Sequence, residues 1–402
     1  MEKSNKFCIK PVTSVVIDTA GNLKPCCSLN KKFTRFKNKK VANASNGINK
    51  YYNSKYNQYL RKKFLNNEAP EECQLCWDQE AREFESERIR ANYLHKVLFK
   101  KNYEKYLKLI KKYDLKTPIE IDLAMTNLCN LKCLMCEGTS SSQLLIENFK
   151  LGYHDENKGM VQKDFDWTVL AKQKIIDQIL KNNSLEYLNL TGGETLMVPE
   201  IFRLLDKLKN KNLKIVIFTN GTQYNERIVS KLKQLKNLHI IFSIESTNKQ
   251  NEYLRFPSAW NNIQRNIINF QKDLPKTTFI INCTVQNLNI LYLDQLINFA
   301  HNHNLHLILN TIKNPEYLIY TNLPLNLLEK SYNKLCNIPK EKTIHVSNFD
   351  HLKNELQKFI KNYKVNNKLF EEFKSVIQAR DKYRKVSIFN YMPEVAKEVF
   401  TK

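Results

Sequence analysis

The chain has 402 residues, and its 64 lysines and arginines against 40 aspartates and glutamates give a formal net charge of +24. This length predicts about two or three domains, and a hydrophobic content of 42% excludes a disordered polymer. No apolar run approaches the roughly 20 residues of a membrane-spanning helix, and the first residues lack the apolar stretch of a secretory signal. We therefore expect a cytoplasmic protein without a membrane partner.

The positive charge is one signature of a nucleic-acid partner. Here, 53 lysines, 11 arginines and 49 asparagines are spread along the whole chain rather than clustered. Recognition of phosphates and bases usually relies on arginine. The pattern favours a general compositional bias, so a nucleic-acid partner stays an alternative that the sequence does not favour.

Residues 1–80 carry strand and turn signals rather than helical periodicity. The alternating segment 13–18, followed by a turn at Gly21, predicts a β-hairpin. Residues 81–116 are charged and have a helical period, which predicts a helical connector.

From residue 117 to residue 325, strand patterns alternate with amphipathic helical patterns. The predicted strands are 119–124, 187–190, 214–219, 239–243, 278–285 and 306–309. Six strands separated by helices predict a parallel α/β sheet, either doubly wound and open or curved into a partial barrel. Ligands should then bind at the carboxyl ends of the strands. Residues 326–402 are polar and predicted to be a helical extension.

Three cysteines follow the first strand of this region, in a CxxxCxxC loop formed by Cys129, Cys133 and Cys136. In a reducing compartment, clustered cysteines are more often metal ligands than disulfides. Three thiolates can hold three irons of a [4Fe-4S] cluster and leave the fourth iron open. The alternatives are a zinc knuckle or core cysteines, but zinc usually needs four ligands, and no further Cys or His lies near this loop in sequence.

The triplet resembles the signature of the radical S-adenosylmethionine (SAM) enzymes. The resemblance implies that SAM binds the open iron of the cluster and is reductively cleaved to a 5′-deoxyadenosyl radical, which abstracts hydrogen from a substrate. It also implies a partial (β/α)6 barrel, in agreement with the six predicted strands, and covers roughly residues 118–322.

Other segments carry the same resemblance. Gly192, Gly193 and Glu194 follow the second strand and are similar to the family's GGE motif, which contacts the SAM amino group. A strand-to-helix turn that uses flexible glycines is the alternative. Asn220, in the sequence Thr219-Asn220-Gly221, resembles the family at the end of the third strand.

The resemblance also implies roles for five residues further along the chain. Ser243 and Glu245 would contact the ribose hydroxyls, and Arg255 the SAM carboxylate. Val285 would back the adenine, and Met135 would pack on it. Capping of a helix is the alternative role for Ser243.

A second group of cysteines precedes the barrel: Cys8, Cys26, Cys73 and Cys76. Four thiolates close a metal site completely. The stretch resembles the twitch or SPASM domain of radical SAM enzymes, which holds an auxiliary [4Fe-4S] cluster and normally follows the barrel. A four-cysteine zinc site is the alternative. Cys26 is favoured over its neighbour Cys27 as the ligand because it follows a proline, as in the family.

Cys283 lies in the predicted fifth strand, where its thiol could donate hydrogen to a substrate radical; the alternative is a small core residue. The resemblance implies an enzyme with a reducing partner such as flavodoxin or ferredoxin and favours a peptide or small-molecule substrate. A radical SAM enzyme that modifies RNA and a non-catalytic iron-sulfur binding protein are the alternative functions.

Overall fold

A computed structural model describes residues 5–29, 35–36, 39–40, 43–81, 85–98, 116–153, 167–208 and 212–401. The strands are β1 (Ser14–Ile17), β2 (Leu23–Lys24), β3 (Arg35–Phe36), β4 (Lys39–Lys40), β5 (Glu120–Ala124), β6 (Tyr187–Thr191), β7 (Lys214–Thr219), β8 (Leu238–Ser243), β9 (Thr278–Val285), β10 (His306–Thr311) and β11 (Val346–Ser347). The α-helices are α1 (Lys10–Thr13), α2 (Ile48–Tyr52), α3 (Lys55–Leu65), α4 (Gln74–Ala81), α5 (Glu87–Leu98), α6 (Ser142–Lys150), α7 (Val169–Lys181), α8 (Pro199–Leu208), α9 (Glu226–Leu232), α10 (Asn248–Leu254), α11 (Trp260–Asp273), α12 (Leu293–Asn302), α13 (Leu325–Cys336), α14 (Lys340–Thr343), α15 (Phe349–Lys361), α16 (Asn367–Arg384), α17 (Ile388–Tyr391) and α18 (Pro393–Phe400).

Nine of these strands form one sheet in the order β11-β10-β9-β8-β7-β6-β5-β1-β2. Strands β5 to β10 are parallel and lie next to each other in chain order, with helices in the connections between them. They coincide with the six predicted strands to within two residues at either end. Their carboxyl ends therefore lie along one edge of the sheet, where ligands are expected.

The two faces of the sheet differ in burial. Along β8, Ile240 and Phe242 are fully buried. The residues that alternate with them, His239, Ile241 and Ser243, are partly exposed. Because side chains alternate between the faces of a strand, one face packs on the helices and the other stays partly open. On the packed side, α8 buries Ile201, Leu204 and Leu208, at spacings of three and four residues that place them on one helix face.

Both flanking segments contribute strands to the same sheet. Strand β1 pairs in parallel with β5, with Ser14 opposite Glu120, and β2 pairs with β1 in antiparallel orientation. At the other edge, β11 from the predicted helical extension pairs with β10. The sheet thus runs across both predicted boundaries, near residues 80 and 326.

The predicted helical connector lies only partly within the described residues. Helix α5 belongs to it, whereas 82–84 and 99–115 lie outside the part of the chain that the structure describes. In that part, no helix has the length and apolar character required to cross a bilayer.

Candidate active site

The cysteine loop leaves the carboxyl end of β5 and is held by backbone hydrogen bonds. The N–H of Lys132 donates to the carbonyl of Phe256 at 2.6 Å, and the N–H of Leu134 donates to that of Leu254 at 2.9 Å. These bonds attach the loop to the end of α10. They help to fix the path of the loop.

The three thiols of this loop differ in burial and in pKa. Cys129 and Cys133 are buried, and Cys136 is half-buried. A hydrogen bond from the Cys136 thiol and the nearby Arg255 guanidinium lower the pKa of Cys133 to about 7. Burial raises the pKa of Cys129 to about 12, and the charge of Cys133 contributes in the same direction. The three sulfurs thus lie within electrostatic range of one another.

No three His, Cys, Asp or Glu side chains of the described residues converge on a position for a single metal ion. In a [4Fe-4S] cluster, however, each thiolate binds a different iron, so its ligands need not converge on one point.

Hydrogen-bond donors point at two of the sulfurs. The N–H of Leu131 lies 3.5 Å from Cys129 Sγ, and Nη1 of Arg255 lies 3.5 Å from Cys133 Sγ. Within the described part of the chain, the buried Nε of Arg255 has no hydrogen-bond partner. Buried donors without partners are costly unless an acceptor binds there. This donor set fits an anionic iron-sulfur cluster held by the three cysteines.

The two glycines of the GGE sequence pack directly on the cysteine loop. Gly192 has φ of +117°, and a Cβ atom on it would lie 2.7 Å from the carbonyl oxygen of Thr126. A Cβ atom on Gly193 would lie 2.1 Å from the carbonyl oxygen of Leu128. The N–H groups of Gly193 and Glu194 donate to these two carbonyls at 3.0 and 2.7 Å. Because they lack side chains, the glycines permit direct contact between two backbone segments. This contact fixes the loop after β6 against the cysteine loop after β5.

Glu194 is fully buried and hydrogen-bonded within the chain. Its carboxylate accepts hydrogen bonds from the Thr219 hydroxyl and from the N–H of Asn220, both at 2.7 Å. Burial raises its pKa. The Asn220 side chain in turn donates to Asn130 in the cysteine loop at 2.9 Å. Glu194 thus links the loops that follow β6 and β7, next to the cysteines.

Glu245 and Arg255 form a buried ion pair in which Arg255 Nη2 lies 2.7 Å from Glu245 Oε1. The other carboxylate oxygen accepts the N–H of Thr284 at 2.5 Å. Burial raises the pKa of Glu245, although Arg255 acts in the opposite direction. The pair joins the ends of β8 and β9 to the cysteine loop.

The remaining predicted SAM contacts lie around the same edge of the sheet. Ser243 is half-buried at the end of β8, on the partly open face. Met135 is half-buried beside the cysteines, and Val285 is fully buried at the end of β9. Apart from Val285, which lies on the packed face of β9, the structure thus places the predicted residues around the carboxyl ends of β5 to β8.

Cys283 lies on the other face of the sheet. It is fully buried in the core, and its thiol donates to the carbonyl of Glu245 at 3.6 Å. Its neighbours Asn282 and Thr284 are partly exposed on the open face. This placement does not support a role for Cys283 as a hydrogen donor to a substrate on that face.

The open face also carries polar residues that the motifs in the sequence did not indicate. Asn189 on β6 hydrogen-bonds to Asp122 on β5, and Asn310 on β10 donates to Asn282 on β9 at 2.7 Å. Burial raises the pKa of Asp122 to about 6. The alternation of polar and apolar residues along the strands could have indicated this polar face, because Glu120 and Asp122 alternate with apolar residues in β5.

Electrostatic interactions link the four amino-terminal cysteines pair by pair. The pKa of Cys26 is affected by the charges of Cys8 and Cys73. The charge of Cys8 also acts on Cys73, and that of Cys76 acts on Cys8. Burial raises the pKa of all four thiols. Cys27 is exposed, and the charges acting on it come from Glu87, Lys10 and Asp122.

Backbone donors serve this second cysteine group as well. The N–H of Lys10 donates to the sulfur of Cys8, and the N–H of Arg88 donates to that of Cys76; both bonds lower the pKa of the thiols against the larger effect of burial. Two of the four sulfurs thus have backbone N–H donors, which suit an iron-sulfur cluster as well as other anionic groups.

The two cysteine groups lie at opposite ends of β1 and β5. Because β2 runs antiparallel to β1 with Lys24 opposite Val16, Cys26 follows at the amino-terminal end of β1. The Cys129 loop leaves the carboxyl end of β5, which is parallel to β1. The polar open face extends between the two ends.

Residues 123–300 match the family model described as the Radical SAM superfamily. Among curated proteins, the uncharacterized protein MJ0907 of Methanocaldococcus jannaschii is 26% identical over 239 residues, which are 56% of this chain and 73% of that protein. The AdoMet-dependent heme synthase of Methanosarcina barkeri is 28% identical over 41% of this chain and 42% of its own length. The subtilosin biosynthesis protein AlbA of Bacillus subtilis is 28% identical over 33% of this chain and 25% of its own length.

Solved structures give a further comparison. Streptococcus suis SuiB matches 61% of this chain and 53% of its own, with 15% identity and a TM-score of 0.43. Native anSMEcpe with bound AdoMet matches 58% of this chain and 64% of its own, with 18% identity and the same TM-score.

Residues 123–300 thus contain both the cysteine loop and the match to the Radical SAM superfamily model. This part of the chain is similar to the radical SAM enzymes.

Proposed function

We propose that this protein reductively cleaves SAM at a [4Fe-4S] cluster held by Cys129, Cys133 and Cys136 and abstracts hydrogen from a bound substrate. The observation that carries the proposal is the loop of three cysteines, two of them buried, with N–H groups of Arg255 and Leu131 directed at two of the sulfurs. When bound there, the cluster supplies the electron that splits SAM into methionine and a 5′-deoxyadenosyl radical.

The chain's own residues would bind and orient SAM. Ser243 lies at the end of β8 on the open face, with a hydroxyl suited to the ribose. Arg255 has a buried Nε without a partner among the described residues, and this donor suits a carboxylate. Glu194 would act indirectly: it holds the loops after β6 and β7 in place while Gly192 and Gly193 keep them against the cysteines.

We also propose an auxiliary [4Fe-4S] cluster on Cys8, Cys26, Cys73 and Cys76, in a twitch or SPASM-like segment. Support comes from the electrostatic interactions among the four thiols and from the backbone N–H groups of Lys10 and Arg88, which donate to Cys8 and Cys76. Such a cluster would lie at the end of β1 and β5 opposite the first one and could bind substrate or carry an electron.

The substrate would bind on the polar open face between the two sites, where Asp122, Asn189, Asn282 and Asn310 offer hydrogen bonds. A peptide is the favoured class. AlbA is named for subtilosin biosynthesis, and SuiB has a structure bound to the precursor peptide SuiA. A flavodoxin or ferredoxin is the proposed electron donor.

The test is anaerobic reconstitution with iron and sulfide, followed by addition of SAM and dithionite. We expect formation of 5′-deoxyadenosine and methionine by the wild type and none by Cys133→Ser. Cys336→Ser is the matched control, because Cys336 is exposed on α13, far along the chain from both groups. Wild-type protein that binds iron but forms no 5′-deoxyadenosine would overturn the catalytic proposal in favour of an iron-sulfur binding protein.

A further inference from the structure

Helix α16, in the carboxy-terminal extension, contributes two arginines to one buried carboxylate beside the cysteine loop. Arg384 Nη2 lies 2.7 Å from Glu147 Oε1, and its Nε lies 3.1 Å from both carboxylate oxygens. Arg380 also forms an ion pair with Glu147. The Glu147 side chain is completely buried, and that of Arg384 is 2% exposed.

Arg384 also holds the cysteine loop itself. Its Nη2 donates at 2.6 Å to the carbonyl of Lys132, which belongs to the peptide bond joining Lys132 to Cys133. The guanidinium lies over the ring of Phe256, 5.2 Å from its centroid, and the carbonyl of Phe256 accepts the N–H of Lys132. One side chain therefore contacts both sides of the junction between the cysteine loop and the end of α10.

The charges around Glu147 do not cancel. One carboxylate faces Arg380, Arg384 and, at 3.8 Å, the ammonium of Lys132. The carboxylate of Asp381 is also in electrostatic range of Arg384, so three cations face two anions. The group therefore has a net positive charge next to Cys133, in a mostly buried place where charges are screened far less than in water. The second arginine is not needed to neutralise Glu147.

We propose that Arg384 is a positioning residue for the radical SAM cluster: it fixes the peptide bond before Cys133, and its charge stabilises the reduced form of the cluster. The proposal rests on the proposed function of the three cysteines. A cluster gains a negative charge on reduction, so a fixed cation beside it raises its reduction potential.

The test is a redox titration of the reconstituted full chain, followed by electron paramagnetic resonance, with iron content and circular dichroism measured on each variant. Arg384→Gln removes the cation and should lower the midpoint potential of the SAM-binding cluster. Glu147→Gln removes the anion and should raise it. Lys382→Gln changes the same charge at an exposed position of the same helix and should leave the potential unchanged.

Opposite shifts in the Arg384 and Glu147 variants support the proposal, because a merely structural defect would not invert with the sign of the charge. Unchanged potentials, or shifts in the same direction, overturn it. If Arg384→Gln does not fold, Arg384→Lys, which keeps the charge, should retain the wild-type potential while Glu147→Gln raises it; an unchanged potential in Glu147→Gln then overturns the proposal. A wild type without any cluster signal contradicts the proposed function instead.

Discussion

Arg255 connects Glu245 to the cysteine loop: one terminal nitrogen of its guanidinium lies 2.7 Å from the Glu245 carboxylate, and the other lies 3.5 Å from Cys133 Sγ. Both side chains are buried. The segment after β8 and the segment after β5 are therefore coupled through one side chain. A substitution of Arg255 or Glu245 should therefore alter the surroundings of Cys133.

Removal of Arg255 should leave the Glu245 charge buried without its partner. We expect Arg255→Leu to lower the free energy of unfolding by about 3 kcal/mol or more, because an uncompensated buried charge is costly. The double variant Arg255→Leu with Glu245→Gln should recover part of this loss. Urea unfolding of the iron-free protein measures both, and equal stability of single and double variants would contradict the coupling.

A methyl group on Gly193 should displace the cysteine loop. Its Cβ would meet the backbone of Leu128 at 2.1 Å, and backbone cannot move aside as a flexible side chain can. We expect Gly193→Ala to lower stability by at least about 2 kcal/mol and to reduce iron bound after reconstitution.

The control for this variant is Gly152→Ala. Gly152 also has a positive φ, of +69°, but a Cβ there meets no described atom within 4 Å. Only the backbone strain of about 1 kcal/mol should remain, with normal iron binding. Equal iron loss in both variants would contradict a specific role of the contact with Leu128.

Cys26 and Cys27 should differ sharply in iron binding. With two [4Fe-4S] clusters the reconstituted wild type would hold about eight irons. Cys26→Ser should lose roughly half of them, because Cys26 lies in range of Cys8 and Cys73. The exposed Cys27 should be replaceable by Ser without loss. Iron and sulfide analysis measures this, and full iron in Cys26→Ser, or a zinc content of one per chain, would refute the auxiliary cluster.

Asp122 should make stability depend on pH. Burial raises its pKa from about 3.8 to about 6, so the folded protein binds a proton there more tightly than the unfolded chain does. The native state is therefore favoured at low pH and loses this advantage as pH rises from about 4 through 6. We therefore compare the free energy of unfolding of Asp122→Asn with that of the wild type. We expect this difference to shift in favour of the variant by on the order of 2 kcal/mol from pH 4 to pH 8. Urea titrations at the two pH values provide the measurement, and a pH-independent difference would argue against the shift.

Much of the sheet was predictable because each strand has a local pattern. Strands β7 and β9 begin and end where the alternation of residues predicts. The same alternation places Cys283 on the face of Ile281 and Val285, so its burial in the core could also have been inferred. The loop cysteines were recognisable because their spacing is short and fixed.

The partners of the outer strands were not predictable in this way. Ser14 lies opposite Glu120, although more than 100 residues separate them, and no local pattern encodes such a register. Similarly, the contact of Arg384 with Glu147 depends on how α16 packs against α6. The scarcity of arginine was the one available signal, since two of only 11 arginines lie four residues apart on this helix.

The pairing of β1 with β5 has a consequence for engineering of this protein. A version shortened to residues 117–325 would leave the backbone N–H and C=O groups along one side of β5 without the partners that β1 provides. A bare strand edge of this kind recruits other chains, and such a fragment would be prone to aggregate.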